Sequence, residues 1–418
     1  MVSLTDSLPV MRTADGVPLR TSLRRAERRS KLRAFALVAP LLAFIVLTFV
    51  VPIAFMLYRA IENPEIIQNL PRTSAALARW DGRDLPDEAT YAALAADLKE
   101  TQQTKNTGQV GKRLNYEIPG IRSKFIKTGR DIERADAGPW KEVFLKSEPL
   151  WGTRDVWVVL ERASHPFTSF YLLAALDLRW DNGNHFAKVL PDQAIFLDVF
   201  GRTVWISALV TIGTLVLGYP VAYLLATLPA RTSNLLMILV LMPFWTSILV
   251  RTSAWVVLLQ THGTINEVLL WLGVLSEPVQ LIFNRGGTVV AMTHIQLPFT
   301  ILPIYSVMKM ISPTHLRAAR SLGAGPFYAF WRVYFPQTLP GVGAGCLLTF
   351  ILCLGYYITP ALVGGPLDQM ISYFVALYTN RELNWGMASA LGAILLAATI
   401  ILYSVFNRLI GIDKVKLG

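Results

Sequence analysis

Long apolar runs alternate with short polar segments along most of the chain, and this alternation predicts membrane-spanning helices. A helix needs about 20 mostly apolar residues to cross a hydrocarbon layer of about 30 Å. Six runs meet that length, at 34–58, 204–228, 235–259, 288–308, 340–363 and 387–406. The first run has 25 uncharged residues and no small-residue cleavage site after it. We therefore interpret it as a retained span rather than a signal peptide.

A long polar segment, 62–198, interrupts this pattern after the first run. It contains 18 Lys+Arg and 20 Asp+Glu, whereas the rest of the chain contains 21 and 8. Its helix-forming residues predict helices near 86–103, 139–146, 153–163 and 167–178. The stretch 101–113 is polar, and we expect it to be mobile. The segment is thus predicted to be a helix-rich insert exposed to water between the first and second spans.

Composition and charge place the chain in a membrane and orient it. The hydrophobic fraction of 53% and the mean hydropathy of +0.44 are typical of a polytopic membrane protein. Basic residues are concentrated in 1–33, in the loop 309–340 and after the last run. The alternate loops contain the acids Glu267, Glu277, Asp368 and Glu382. Because positive loops stay in the cytoplasm, both termini are predicted to be cytoplasmic and the insert periplasmic.

The predicted fold class is an all-α polytopic membrane protein with six transmembrane helices. Its parts are a basic cytoplasmic segment, a first span, a periplasmic insert, a five-helix transmembrane core that includes the loop 309–340, and a cytoplasmic tail. These parts occupy residues 1–33, 34–61, 62–198, 199–408 and 409–418 in that order. Since the basic residues flank apolar runs, they do not indicate a nucleic-acid-binding face.

No set of side chains in the sequence indicates catalysis or a bound cofactor. The stretch TGQVGK at 107–112 has glycines three apart and no apolar strand before it, so it does not fit a phosphate-binding loop. His165 and His185 are isolated, and Cys346 and Cys353 are too far apart on one helix to form a disulfide. We therefore expect a protein that is not an enzyme and that binds neither metal nor nucleotide itself.

The loop 309–340 contains the most distinctive motif. Its members are Leu316, Arg317, Ala318, Ala319, Gly323 and Ala324. Two short helices that meet at Gly323 are predicted for this loop, because a run of helix formers is followed by that glycine, a second amphipathic run and Pro340. The loop resembles the Glu-Ala-Ala, three residues, Gly motif in permease subunits of binding-protein-dependent ABC importers, with Arg317 where Glu is usual. In that family the loop inserts into a cleft of the ATPase, so the resemblance implies that the motif couples transport to ATP hydrolysis.

Other segments narrow the resemblance to permeases of the spermidine/putrescine type. MPFWTSILVRTSAW at 242–255 and GTIN at 263–266 resemble the third span of those permeases. QLPF at 296–299 resembles their fourth span, and YYITPALVGGP at 356–366 resembles the fifth span and the turn after it. The insert 62–198 is not part of the pattern.

The resemblance implies the permease fold of a type I ABC importer in the bacterial inner membrane. It also implies its partners, which are a second permease subunit in a heterodimer, two ATPase subunits that use ATP and Mg²⁺, and a periplasmic solute-binding protein. The cargo it implies is a small solute of the polyamine class. Another solute, such as an amino-acid-like compound or an ion, is an alternative within the same architecture.

The chemistry of a polyamine selects candidate pathway residues, because aromatic faces and carboxylates bind flexible polycations. The candidates are Trp245, Arg251, Trp255, Tyr356, Tyr357 and Trp385. Arg251 would repel such a cargo, so a structural, a gating and a substrate-facing role all stay open. Glu267 and Asp368, near the outer ends of helices, are candidates for contact with the binding protein.

Two other functional classes are less favoured. An ion-coupled secondary transporter would typically show an inverted repeat, and none is visible in the sequence. A membrane-tethered receptor or enzyme would work through the insert, but 62–198 lacks a convergent catalytic set.

Overall fold

A computed structural model describes residues 19–410 apart from 182 and 184. The parts of the terminal predictions at 1–18 and 411–418 lie outside these residues. The chain divides into two units, and the division falls between Tyr58 and Arg59.

The described part of the first unit, from Leu19 on, is one long helix. It consists of α1, Leu19–Ile45, a π-helical turn, Val46–Val50, and the start of α2, Val51–Arg59. The stretch Glu27–Arg59 has 33 residues and is long and apolar enough to cross a membrane. Its large apolar side chains are exposed, as expected for a helix that faces lipid. The predicted first span is therefore confirmed.

The insert is a bundle of short helices followed by a hairpin. The helices are α3 Pro64–Asn69, α4 Pro71–Leu77, α5 Glu88–Gln103, α6 Thr107–Asn115, α7 Ile121–Arg134, α8 Trp140–Ser147, α9 Arg154–Ala163 and α10 Phe170–Ala174. A 3-10 turn at Pro149–Gly152 joins α8 to α9. The strands β1, Leu178–Trp180, and β2, Phe186–Lys188, pair antiparallel. The prediction of a helix-rich insert is confirmed, although the hairpin was not foreseen.

The prediction of a mobile stretch at 101–113 was wrong. Helix α6 occupies most of it and buries Val110, Arg113 and Leu114. These side chains lie three and four residues apart and therefore share one face of the helix. The candidate phosphate-loop stretch 107–112 is likewise helical, which agrees with its rejection.

The core of the insert is built from aromatic rings. Tyr91, Phe125, Phe144, Trp151 and Trp157 are fully buried within it. The hydroxyl of Tyr91 donates to the carbonyl of Trp151 at 2.7 Å, and Trp157 Nε1 donates to the same carbonyl at 3.0 Å. Because the polar atoms of these rings are hydrogen-bonded, the rings are buried without a desolvation penalty.

The remaining helices form the membrane core. The long ones are α11 Phe196–Thr227, α12 Ala230–Leu241, α13 Ile248–Leu258, α15 Arg285–Met310, α18 Phe335–Leu354 and α21 Trp385–Ile410. The short ones are α14 Thr264–Trp271, α16 Pro313–Ser321, α17 Pro326–Ala329, α19 Ile358–Val363 and α20 Ile371–Asn380. In the described residues, with the first span included, five helices are long and apolar enough to cross a membrane. The number is six if one bent pair of helices counts as a span. The spans predicted at 204–228, 288–308 and 387–406 are confirmed.

The third predicted span, 235–259, is not a straight helix. Its halves, Ala230–Trp245 and Ile248–Leu258, meet at an angle of 97°. Pro243 lies in a 3-10 turn at the break, and Ser247 caps the second half by accepting a hydrogen bond from the backbone N–H of Val250 at 3.2 Å. A proline followed by a capping serine ends one helix and starts another.

The fifth predicted span was misplaced. Helix is continuous from Pro326 to Leu354, through a π-helical turn at Phe330–Tyr334, and α19 is separate. Pro340 therefore lies inside a helix and does not close a second short one. Prolines are tolerated within membrane helices because neighbouring groups satisfy the freed carbonyls.

Helices α11, α15 and α18 pack closely through small side chains. Thr300 Oγ1 on α15 donates to Thr214 Oγ1 on α11 at 2.9 Å and lies 2.6 Å from Thr349 Oγ1 on α18. A Cβ atom at Gly345 would lie 2.8 Å from the carbonyl oxygen of Thr300, so only glycine allows this approach. Small residues with hydroxyl hydrogen bonds are typical of helix packing in membranes.

Candidate functional site

The loop between α15 and α18 folds as a helix, a glycine turn and a second helix. Ser312 caps α16, and Pro313 occupies its first position. After α16, Gly323 turns the chain with φ of +89°, a left-handed conformation that favours glycine. A side chain at 323 would meet no atom within 4 Å, so the backbone angle is the constraint rather than space. The predicted turn at Gly323 is confirmed, and its role in coupling stays a prediction.

The six candidate coupling residues lie on different faces of this loop. Leu316 packs inward against the cluster that contains Met308 and Tyr334. Next to it, His315 Nδ1 lies 3.0 Å from Gln337 Oε1, which joins α16 to α18. The outward members are Arg317, Ala318 and Gly323, and the half-buried ones are Ala319 and Ala324. The loop is thus held on one side and free on the other.

An exposed apolar tip lies at the end of this loop. Leu322 is 89% exposed and Phe327 is 77% exposed, and Tyr328 beside them is also exposed. The cations Arg317 and Arg320 flank this tip on α16. Large apolar side chains exposed beside cations are typical of a protein-binding surface. Sequence reasoning missed the tip, although apolar residues on both sides of Gly323 were a signal for it.

A second group of side chains surrounds Arg251, just after the break between α12 and α13. Arg251 Nε and Nη1 are buried and have no hydrogen-bond partner among the described residues. Its charge lies within electrostatic range of His294 on α15 and of Tyr356 after α18. Trp255 Nε1 donates to His294 Nδ1 at 3.1 Å. The structure therefore brings together three of the predicted pathway residues, Arg251, Trp255 and Tyr356.

Other buried polar atoms in the membrane core also lack partners among the described residues. They are Ser207 Oγ on α11, Gln296 Nε2 on α15, Tyr356 Oη after α18 and Gln369 Oε1 before α20. An unsatisfied polar group in a lipid environment costs several kcal/mol. Such atoms need a partner that this chain does not supply among the described residues, such as water or another chain.

The membrane core offers a cation few carboxylates. Helices α12, α13, α15, α18, α20 and α21 contain no Asp or Glu. In α11 the acid is Asp198 in the first turn, where Arg202 Nη2 pairs with it at 2.6 Å. Aromatic faces are the groups of this chain that a cation within the core would meet.

The other candidate residues have no described contact with Arg251. Trp245 is exposed in the turn before α13, and Tyr357 is exposed at the start of α19. Trp385 begins α21 and lines a different cavity. Glu267 is exposed on α14.

Asp368 is buried. Its Oδ1 lies 3.0 Å from Arg285 Nε, and its Oδ2 accepts from the backbone N–H of Gly365 at 3.3 Å. Its charge is thus used within the chain to hold the turn before α20, and its contact with a binding protein stays a prediction.

A cavity of about 320 Å³ lies between the insert and the connection from α20 to α21. We call it the junction cavity, and its walls include Glu62, Glu65, Gln109, Tyr116, Tyr171 and Trp385. Burial, with the nearby carboxylate of Glu65 next, raises the pKa of Tyr116 to about 12. Sequence reasoning found Trp385 but missed the rest, because the walls come from four segments far apart in the chain.

The sequence of the membrane core is similar to that of known proteins. Residues 215–412 match the family described as the inner membrane component of binding-protein-dependent transport systems. The spermidine/putrescine permease PotB of Escherichia coli (strain K12) is 33% identical over 226 residues, which are 53% of this chain and 82% of that protein. PotB of Haemophilus influenzae is 32% identical over 256 residues, 59% of this chain and 89% of that protein.

Among solved structures, a bacterial alginate ABC transporter bound to its periplasmic protein aligns with a TM-score of 0.42 and 17% identity, over 51% of this chain and 77% of that one. The whole insert, 62–198, lies before the family match, which begins at residue 215. Identity above 30% across more than four fifths of two relatives decides the family. This chain belongs to the inner-membrane permease subunits of binding-protein-dependent ABC importers.

Proposed function

We propose that this chain is a permease subunit of an ATP-driven importer whose cargo is a polyamine of the spermidine/putrescine class. The observation that carries the proposal is the similarity to PotB, which extends over 82% and 89% of the two relatives. The aromatic side chains Trp245, Trp255, Tyr356 and Tyr357 offer the faces that ammonium groups bind. The scarcity of carboxylates in this chain's core means that a second subunit supplies further contacts.

Membership of this family implies that the chain functions together with an ATPase and a binding protein. We propose the following composition for the complete importer. A second, similar permease pairs with this one, and two ATPase subunits hydrolyse ATP with Mg²⁺. The exposed tip at Leu322 and Phe327 contacts the ATPase on the cytoplasmic side, where both termini also lie. The insert and Glu267 face the periplasm and the binding protein.

Arg251 has a gating role in this proposal. Its buried guanidinium nitrogens lack an acceptor in the described residues, and it follows the 97° break directly. A change in the angle between α12 and α13 would move Arg251 toward or away from acceptors of the second permease. A cation so placed holds ammonium cargo back in one state and releases it in the other.

The cargo is tested with the complete complex in proteoliposomes. Binding protein loaded with spermidine or putrescine should stimulate ATP hydrolysis and uptake, and the empty binding protein should do so less. Stimulation by an anion-loaded or amino-acid-loaded binding protein, and not by the polyamine form, would overturn the cargo assignment. Uptake driven by an ion gradient without ATP would favour a secondary transporter instead.

The coupling role is tested at Gly323, with Gly325 as the matched control. Both glycines have open space around them, but only Gly323 has a positive φ. Gly323→Ala should lower ATP-dependent uptake because the left-handed turn costs about 1–2 kcal/mol with a side chain, and Gly323→Trp should abolish it. Gly325→Ala should leave uptake unchanged. Normal uptake by Gly323→Trp would show that the tip does not couple to the ATPase.

A further inference from the structure

The junction cavity combines a free carboxylate with aromatic walls. Glu65 Oε2 is buried and has no hydrogen-bond partner among the described residues. Tyr116 and Tyr171 lie beside it with their ring centroids 6.5 Å apart and their planes at 67°. Trp385 closes the cavity from the first turn of α21. An unpaired carboxylate beside several aromatic faces is the arrangement that binds ammonium groups.

The cations around the cavity already have partners within the chain. Arg59 pairs with Glu62 at 3.5 Å, and Lys112 Nζ donates to the carbonyl of Glu382. Neither forms an ion pair with Glu65 among the described residues.

Arg113, which is fully buried, also has partners. Its Nη1 lies 2.9 Å from Glu117 Oε1. Its Nη2 has no hydrogen-bond partner among the described residues, but the guanidinium lies 4.9 Å from the ring centre of Phe170 and 5.6 Å from that of Tyr171. In the part of the chain that the structure describes, Glu65 Oε2 is the buried carboxylate oxygen without a hydrogen-bond partner.

The close contact between α10 and α21 shapes this cavity. A Cβ atom at Gly386 would lie 2.4 Å from Tyr171 Cε2, so the glycine lets the tyrosine ring lie against the start of α21. Tyr171 and Ala175 share an apolar cluster with Met387 and Leu391 of that helix. The cavity is thus formed jointly by the insert and a membrane helix.

We propose that the junction cavity binds a small organic ammonium ion, with its charged group between Glu65 and the rings of Tyr116, Tyr171 and Trp385. The site lies between the insert and the start of α21, shares no lining residue with the Arg251 group, and goes beyond the proposed transport function. A ligand there contacts both the insert and α21, so its binding links the two.

The experiment measures protection of a cysteine placed at the cavity. Leu383 lines the cavity and is exposed, and the chain's own thiols lie in α18, one buried and one half-buried. In the complete complex, Leu383→Cys should react rapidly with a membrane-impermeant maleimide. Putrescine and tetramethylammonium should slow the reaction, and acetate should not. Protection by acetate and by neither cation would overturn the proposal.

Two further variants test whether the carboxylate of Glu65 and the ring of Tyr116 bind the ammonium group. Added to Leu383→Cys, Glu65→Gln should raise the half-protecting amine concentration about tenfold, as expected when a charged hydrogen-bond partner is lost. Tyr116→Leu should raise it to a smaller extent. Glu133→Gln, an exposed carboxylate on α7, is the control and should change nothing. Equal protection of Leu383→Cys with and without Glu65→Gln would exclude Glu65 from the site, whether or not polyamine uptake is observed.

Discussion

In the insert, short helices pack around five buried aromatic rings, whereas α11, α15 and α18 of the membrane core meet through threonine hydroxyls and glycines. Water drives apolar surface of the insert inward, so large rings contribute most of its stability. Lipid exerts no such force between helices, and the core gains stability from close approach and hydrogen bonds. The insert is therefore stabilised mainly by burial of aromatic rings, and the membrane core mainly by close helix packing and hydrogen bonds.

The two regions also differ in how they treat buried charge. In the insert, the buried Arg113 and the largely buried Arg162 both pair with Glu117. In the core, Arg251 keeps two buried nitrogens without partners among the described residues. Arg162 Nε and Nη1 also lack hydrogen-bond partners among the described residues, but each of the two arginines of the insert has a carboxylate beside it. Arg251 forms no ion pair with an acid among the described residues, so the difference between the regions is whether a buried arginine has a carboxylate within the chain.

The largest expected effect is in the aromatic core of the insert. Trp151→Ala should destabilise the insert by about 3–5 kcal/mol, because it leaves a cavity where Trp151 contacts Tyr91, Phe144 and Trp157. Limited proteolysis of the complex in membranes should show faster cleavage within 62–198. Trp271→Ala, at a site that is 84% exposed, should leave the cleavage rate unchanged. Resistance of Trp151→Ala equal to that of wild type would refute an aromatic core.

The next effect is at the contact between α15 and α18. Gly345→Ala should cost about 1–3 kcal/mol, since the new methyl group overlaps the Thr300 carbonyl. The reporter is Cys353, which is buried in α18 and should react with a fluorogenic maleimide at a lower temperature in the variant. Gly201→Ala on α11 meets no atom within 4 Å and is the control. An unchanged Cys353 transition in Gly345→Ala would mean that these helices are not in close contact.

A smaller effect is expected at the start of α5. Hydrogen bonds from the side chain and backbone of Thr90 lower the pKa of Asp87. At neutral pH, Asp87→Ala should destabilise the insert by about 1 kcal/mol through loss of the helix cap.

Because the folded pKa is depressed, the stabilisation by charged Asp87 is present above the ordinary pKa of Asp and is lost as the pH falls through the folded value. The difference in proteolysis rate between wild type and Asp87→Ala should therefore shrink in acid. A difference that stays constant with pH would show that the charge of Asp87 is irrelevant to the cap. Glu133→Ala serves as the exposed control.

The smallest effect is expected from the threonine contact between the three central helices. Thr300→Val keeps the shape and removes the hydrogen bonds to Thr214 and Thr349. Such bonds contribute about 0.6 kcal/mol on average within membranes, so the Cys353 transition should shift only slightly. Thr227→Val, at an exposed hydroxyl that bonds within its own helix, should show no shift. A loss larger than that of Gly345→Ala would mean that hydrogen bonding, not close packing, dominates the core.

Much of this architecture could be predicted from the sequence because hydrophobic length is a strong local signal. The spans at 204–228, 288–308 and 387–406 are continuous apolar runs, and the structure has them as helices. The break in 235–259 was missed because its apolar composition is uninterrupted. Pro243 and Ser247, a breaker and a cap, were the available signal.

The site residues were harder to predict than the spans. Arg251 was singled out as a charge in an apolar run, but its neighbours, His294 on α15 and Tyr356 in the turn after α18, are distant from it in the chain. The junction cavity joins residues near 62, 109, 171 and 385, and no local pattern connects them. Pairings of this kind depend on tertiary packing, which periodicity does not encode.

The continuous helix from Pro326 to Leu354 has a mechanical consequence. Its 29 residues extend about 43 Å, from the exposed tip beside Gly323 to the turn that holds Tyr356. A stiff rod of that length works as a lever, since a small tilt forced on the tip displaces the far end by several ångströms. The π-helical turn at Phe330–Tyr334 lies near the tip and is the place where the rod bends most easily. In the proposed assembly, in which the tip contacts the ATPase, the displacement that reaches Tyr356 is set by how far this turn bends before the rod moves.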